Sequence, residues 1–517
     1  ISNLLKRKMS AVDTGAPQEY KKYDSYVLNV DPDDDDKATE IKLCNFSRPH
    51  MRAFHFSWWC FFIAFFIWFA IAPLLGEIKD TIGLTKQQIW TSNIVGVGGT
   101  IFMRFAMGPA CDKFGSRVLF AILLCCCSIP TAMTGIINSP TTLTVLRLFI
   151  GFVGATFVPC QYWTSRMFCK NVVGTANALV GGWGNLGGGV TQIVVGSALF
   201  PLFKYFYNDG ARTTERIAEL AWRSVNIVPA VVGFATGVAV YCFSDDAPKG
   251  QYKDLKKYGQ MPEVSAAASF RDGALNFNTW LLFIQYACCF GVELTMNNAA
   301  ALYFREEFDQ STESAAAIAS IFGWMNLFAR GFGGFMSDKF NARMGMRGRL
   351  LIHTICLAAE GGLVLVFANS KSLVFAIILM VFFSVFVQAA EGTSYGIVPY
   401  VNPPATGSIS GIVGAGGNTG AVAFGMGFRQ LDYKPAFYIM GFSILGSSFL
   451  SVLINIKGCS TLICGGVDED LAGTEKVAAL SVPSPEAPMM DDTIPMKPMS
   501  PVPAAVPSAA PVLGFDS

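Results

Sequence analysis

Residues 104–117 read RFAMGPACDKFGSR, and residues 330–343 read RGFGGFMSDKFNAR. In each, an arginine precedes an Asp-Lys-Phe triplet by eight residues, and both Arg104/Arg330 and Asp112/Asp338 are displaced by 226 residues. Internal repetition at this distance predicts a chain built from two related halves, with each arginine near the end of an apolar run.

Working outward, the 517 residues are 52% hydrophobic and only 15% charged, with mean hydropathy +0.43, far from the balance of a soluble globular chain. A span of hydrocarbon about 30 Å thick needs about 20 mainly apolar residues. Runs of that kind recur at 53–75, 88–110, 117–138, 143–165, 173–203, 224–244, 279–304, 314–336, 349–368, 372–396, 406–428 and 435–456. The reading is an all-α membrane protein of twelve transmembrane helices in two six-helix halves, 51–244 and 279–457, joined by a polar cytoplasmic linker at 245–278. The ends, 1–50 with its DPDDDD run at 31–36 and 458–517 rich in Pro, Ala and Ser, are expected to be disordered cytoplasmic tails. No cleavable signal peptide is visible, and Met9 is a candidate start.

Lys and Arg near the span ends set orientation. Arg48 and Arg52, Lys113 and Arg117, Arg166 and Lys170, Lys249 to Lys257, and Lys339 to Arg349 all fall on one side, which places both termini in the cytoplasm. Fourteen cysteines, with no CxxC pair, give no disulfide framework or metal site. No motif calls for a cofactor or a catalytic nucleophile, so an enzyme is not expected, and a net charge of +1 gives no support for nucleic acid binding. The lipid bilayer is the expected environment.

A second repeat lies in the fifth and eleventh runs: GGWGNLGGG (181–189) and GAGGNTGAVAFG (414–425), with Asn185 and Asn418 displaced by 233 residues. Glycine costs a helix about 0.8–1 kcal/mol relative to alanine, so something must offset Gly181, Gly182, Gly184, Gly187 and Gly188, and their counterparts Gly414, Gly416, Gly417 and Gly420. Two readings stand: close helix packing, and backbone exposed toward a substrate path. The asparagines either donate to an anion or bond a neighbouring helix carbonyl.

Arg104 and Arg330 lie about 12 Å inside their loop boundaries at 1.5 Å per residue. A charge at that depth costs about 2.5–3.5 kcal/mol and is by default a functional-site hypothesis, the alternative being a structural ion pair or a snorkelling side chain. Arginine stays protonated, so two facing guanidinium groups require an anion or a carboxylate between them. A small planar oxyanion matches their fork geometry. Glu293, Glu360 and Glu391 are the main carboxyls inside spans, each a candidate proton site or arginine partner.

With these motifs assembled, the chain resembles, over about residues 50–456, the nitrate/nitrite porter family of the major facilitator superfamily, in its eukaryotic high-affinity branch. GGWGNLGGG and GAGGNTGAVAFG look like that family's two nitrate signatures. GPACDKFGSR and, more loosely, GGFMSDKFNAR resemble the superfamily's cytoplasmic loop motif, and AAEGTSYGIVPYV (389–401) resembles the eukaryotic branch. The second signature departs from the first, with Thr419 and Ala421 where Leu186 and Gly188 stand. The resemblance implies the major facilitator fold, nitrate bound by Arg104 and Arg330, signature asparagines Asn185 and Asn418, and aromatic residues Phe157, Tyr286 and Phe290 closing around the anion. It implies gating or packing roles for the signature glycines and for Asp112 and Asp338.

It further implies alternating access, with the glycine-rich helices sliding past each other. Inward movement of an anion opposes the membrane potential by about 2.3 kcal/mol per 100 mV, so the resemblance suggests proton symport with more than one proton per nitrate, with Glu391 first among the carriers, then Glu293 and Glu360. Nitrite is a second candidate substrate, a small single-span accessory subunit a candidate partner, and the plasma membrane the expected location. The alternatives are a transport-inactive nitrate sensor and a carrier of another small monovalent anion.

Overall fold

The computed structural model describes residues 20–260, 266–402 and 405–463. Among these described residues, ten helices are long and apolar enough to cross a membrane: His50–Ile82, Ser116–Ile136, Pro140–Met167, Val172–Tyr207, Thr214–Phe243, Phe277–Glu307, Thr312–Met344, Met346–Phe367, Leu373–Val401 and Tyr433–Leu453. Two more, Lys86–Phe114 and Thr406–Gln430, have the length of a span but are diluted by glycine and polar residues. In chain order these twelve are spans one to twelve, with Lys86–Phe114 second and Thr406–Gln430 eleventh. The dilution has a physical reason. Spans two and eleven pack against each other, so much of their surface meets protein rather than lipid, and hydropathy is not what holds them there.

The neighbour relations repeat between the halves. Spans three and six pair on one side and nine and twelve on the other, while two with eleven and five with eight join the first six spans to the last six. Outward-facing Phe149, Val231, Phe234, Phe332, Phe335, Val374 and Phe442 stay exposed, as a lipid-facing surface requires. Span six begins earlier than hydropathy suggests. The charged stretch after 210 forms the helix Thr214–Val225, capped by the Thr213 side chain, and runs into Ile227–Phe243.

Several spans are interrupted midway. Span four passes through a 3-10 stretch at Phe152–Thr156, span seven breaks at Cys288 and Cys289, and span eight is 3-10 over Met325–Leu327. Span five widens to a π-helix at Gln192–Leu199, directly after its glycines. Irregular backbone within a membrane persists only where it is buried in protein or lines a cavity, and the interruptions of spans four, seven and eight adjoin the groups described below.

The described chain ends, near Tyr20 and Ile463, lie on what is here termed the terminal face. On the opposite, distal face, ion pairs join the halves: Lys79 to Glu306 at 2.7 Å, Arg305 to Asp80 at 2.8 Å, and Lys204 to Glu313. Glu77, Asp80, Lys204, Arg305, Gln310 and Glu313 line a charged cavity of about 550 Å³ there.

On the terminal face the expectation of a disordered tail over 1–50 is corrected for residues 20–49. Val30–Asp31 pairs antiparallel with Lys37–Ala38, and the intervening DPDDDD run makes a 3-10 turn closed by Asp35 and Asp36 at positive φ. The acidic run is not left to solvent, because Lys37 pairs with Asp34, Lys21 with Asp36 and Lys249 with Asp35. Cys169 N–H donates to Ala38 O, Tyr23 Oη to Asp245 at 2.6 Å, and Lys22 pairs with Asp245, strapping this segment to the loops after spans four and six. Composition predicts solvation here and misses neutralisation by lysines brought in by the fold, Lys249 among them. The linker likewise holds short helices, Tyr252–Lys257 and Ala266–Leu275. Within the expected second tail, residues 458–463 are described, and Arg347 Nε donates to Thr461 O at 3.2 Å. Residues 1–19 and 464–517, including Met9, lie outside the described residues.

Candidate functional site

Arg104 projects from span two and is fully buried. Its Nε and one terminal nitrogen donate to Gly154 O at 3.3 and 3.2 Å, and the other terminal nitrogen donates to Gly414 O. Gly154 lies in the 3-10 stretch of span four, and Gly414 opens the second glycine signature. The guanidinium carbon lies 4.8 Å from the Phe157 ring centre and 5.1 Å from that of Phe290. Carbonyl dipoles and π faces moderate the charge without neutralising it. Among the described residues, Arg104 makes no ion pair.

Arg330 follows the 3-10 turn of span eight and is equally buried. It pairs with Glu391 of span ten and donates to Tyr286 Oη at 3.2 Å. Asn185 Nδ2 then bridges two carboxyls, donating to Glu391 at 3.2 Å and to Glu293 at 3.0 Å. Asn326 donates to the other Glu293 oxygen at 2.9 Å. Asn185 Oδ1 and Glu391 Oε1 are buried without a partner, which leaves polar capacity at the centre of the cluster.

Aromatic rings link the two arginines. Tyr286 and Phe290 lie on either side of the break in span seven, 5.3 Å apart and stacked, and Phe157 stacks on Phe290 at 6.0 Å. Tyr395 sits edge-on to both Phe157 and Tyr286, at 5.4 and 5.2 Å, and donates to Ser410 O. The result is a buried aromatic cluster with Arg104 at one side and Arg330 at the other. Tyr395 was not singled out from sequence. It stands one helical turn after Glu391, and that i, i+4 spacing is the signal that finds it.

The remaining residues separate. Asn418 donates to Val97 O at 3.4 Å, a bond between spans eleven and two, and so does not share the role of Asn185. The repeat is therefore broken in chemistry. Displacing Glu293 and Glu391 back by 226–233 residues falls on CFFIAFFI and VPCQYWTS, which contain no acid. Glu360 is buried in span nine with neither carboxyl oxygen hydrogen-bonded. Asp338 pairs with Arg349 at 2.7 Å on the terminal face, and the side chain of Asp112 lies outside the described residues.

The glycines are close-approach points. A Cβ on Gly181 would lie 3.0 Å from Arg330 Nε, on Gly182 2.9 Å from Asn326 O, and on Gly188 2.9 Å from the Asn297 amide. Gly184 and Gly187 instead accommodate Phe61 and Phe62 of span one. In the second signature, Gly414 faces Phe157, while Gly416, Gly417 and Gly420 receive Phe283, Phe290 and Ala287 of span seven. Gly189 meets Gly323 of span eight backbone to backbone, the Cβ of one falling 2.8 Å or less from the other's Cα.

Two sets of six spans joined along paired helices, with buried arginines where they meet, define a membrane carrier. Residues 57–426 match the profile of the Major Facilitator Superfamily. High affinity nitrate transporter 2.5 of Arabidopsis thaliana is 38% identical over 443 residues, covering 85% of this chain and 86% of that protein. High-affinity nitrate transporter 2.3 of Oryza sativa subsp. japonica is 41% identical, covering 84% and 83%. Among solved structures, the proton:xylose symporter XylE matches with a TM-score of 0.57 at 12% identity, over 77% of this chain and 95% of that one, a likeness of fold alone. The chain belongs to the Major Facilitator Superfamily and, within it, to the family of these high-affinity nitrate transporters.

Proposed function

We propose that this protein imports nitrate by alternating access, coupled to protons, with the terminal face cytoplasmic and the plasma membrane as its location. The observation that carries the reading is the unequal state of the two arginines: among the described residues Arg104 has no carboxylate partner, whereas Arg330 is held by Glu391. Arg104 is a standing anion site. Arg330 becomes one only when Glu391 is neutralised, and a proton is the smallest group that does so. Proton and anion then bind together, because each removes the obstacle to the other. Glu293, joined to Glu391 through Asn185, supplies the second carboxyl, and two protons per nitrate would carry net positive charge inward, down the potential. Glu360, unconnected by hydrogen bonds to this network, is third in order.

Nitrate fits the aromatic ring as a trigonal oxyanion whose edges match guanidinium forks. Nitrite shares that chemistry and is proposed as a second substrate. A single-span accessory subunit remains a proposed partner.

The test is uptake of labelled nitrate into liposomes under imposed pH and voltage gradients. The parent protein is expected to concentrate nitrate with the proton gradient, and nitrite to compete more strongly than formate. Glu391→Gln is expected to keep nitrate exchange while losing proton-driven accumulation. Arg104→Lys and Arg330→Lys keep charge but lose the planar fork, and both are expected to lower nitrate affinity. If Glu391→Gln accumulates nitrate with the parent's pH dependence, the coupling assignment is wrong. If neither lysine variant changes affinity or rate, the central site is wrong.

A further inference from the structure

A third arginine is buried away from the central ring. Arg147, in span four, donates to Asn93 Oδ1 of span two and, at 2.6 Å, to Asn298 Oδ1 of span seven. All three residues are buried, and no carboxylate pairs with Arg147 among the described residues. Asn93 Nδ2 is buried without any partner. A buried guanidinium whose acceptors are only neutral amides is an incompletely compensated charge, and the orphan amide beside it is a second donor with nothing to bind.

Three helices fix its level in the membrane. Asn93 precedes Arg104 by eleven residues, Arg147 precedes Phe157 by ten, and Asn298 follows Phe290 by eight. At 1.5 Å per residue each places the cluster about 12–17 Å from the central ring, displaced toward the distal face where the Lys79–Glu306 and Arg305–Asp80 pairs close the halves together. Arg147 and Asn93 belong to the first six spans, and Asn298 to the last six.

We propose that Arg147 and Asn93 form an outer station for a small monovalent oxyanion, capped by Asn298 when the distal side is closed. Parting of the halves on that side withdraws Asn298, and Arg147 loses one of its two acceptors. An incoming trigonal anion takes the vacated donors together with the free Asn93 amide. Closure restores Asn298 to the guanidinium, displaces the anion, and leaves it to move inward to Arg104. The station thus loads when the gate opens and empties as it closes. This rests on the nitrate reading above and adds a second site to it.

The test measures labelled nitrate entry into vesicles of both orientations, so that the distal and terminal faces are assayed separately. Losing one charge-assisted hydrogen bond to the anion is worth roughly a tenfold change. Arg147→Gln is expected to raise KM at the distal face about tenfold and to leave KM at the terminal face within about twofold. Asn298→Asp gives Arg147 a permanent carboxylate and is expected to raise distal KM similarly while the thermal midpoint holds or rises. Arg147→Lys is expected to be intermediate. If Arg147→Gln misfolds, Asn298→Asp and Asn93→Ala carry the test alone. A fall in kcat with distal KM unchanged in these variants would make the cluster a structural latch and overturn the station. A parent protein that moves no nitrate in either vesicle type would instead overturn the nitrate reading itself.

Discussion

Gly189→Ala and Gly187→Ala, two residues apart on one helix, should fail in different ways. A Cβ at 189 lies 2.7 Å from Ser320 O and 2.8 Å from Gly323, all backbone of span eight in the other half, whereas a Cβ at 187 lies 2.3 Å from Phe62 O in span one of the same half. Backbone cannot rotate aside, so each substitution carries an overpacking strain of about 1–3 kcal/mol. At position 187 that strain persists in every conformation and appears as a lower thermal midpoint. At position 189 it is relieved whenever spans five and eight separate, so it acts on the equilibrium between closed and parted halves. At 1.4 kcal/mol per decade this shifts the populations by about 5- to 150-fold. The assay pairs thermal unfolding with labelling of a cysteine placed at Gln310, in the distal cavity, by a membrane-impermeant maleimide. Gly189→Ala is expected to speed labelling with a near-parental midpoint, and Gly187→Ala the reverse. If both lower the midpoint equally and neither changes labelling, the glycine contact is ordinary packing and the reasoning fails.

Reversing the Lys79–Glu306 pair singly, as Lys79→Glu or Glu306→Lys, is expected to weaken distal closure by roughly 0.2–1 kcal/mol, as for a partly exposed ion pair. The double reversal should restore it, read by the same labelling rate. Tyr395→Phe is expected to keep nitrate affinity near parental because the ring remains, while Tyr395→Ala opens the aromatic ring and lowers affinity several-fold in a binding titration. Burial raises the Asp246 carboxyl above its usual 3.8 despite the Arg117 guanidinium 3.5 Å away. The folded protein therefore holds that proton more tightly than the unfolded chain, and this contribution is full below the ordinary carboxylate range and lost as pH rises through the raised value. The midpoint of the parent minus that of Asp246→Asn should accordingly fall as pH rises from about 4.

The twelve spans and their six-and-six division were legible because lipid imposes a length and a composition on a helix that soluble folds do not. The repeat singles out Arg104, Arg330 and Asn185 as polar residues among hundreds of apolar ones, and the structure buries all three. What the repeat conceals is where its copies differ. Asn418 mirrors Asn185 in sequence, yet no acid of the first half stands where Glu293 and Glu391 stand in the second, so Asn418 turns to the Val97 carbonyl instead. Arg147 has no repeat partner to draw notice, and its significance depends on Asn298, 151 residues away. The docked segment at 20–49 escaped composition because its acids are compensated by lysines as distant as Lys249.

The π-helical stretch Gln192–Leu199 bears on how spans five and eight can move. Where hydrogen bonds close from i to i+5, each residue turns the helix by less than the 100° of an α-helix, so the ridge that leaves Gly189 changes pitch within one turn. The facing stretch Thr312–Trp324 keeps α pitch. Two screws of unequal thread jam when driven lengthwise but separate freely when levered apart. The expected sliding of glycine helices is thereby limited to the α-helical segment before Gln192, and the distal ends must hinge open, parting at the Gly189–Gly323 contact.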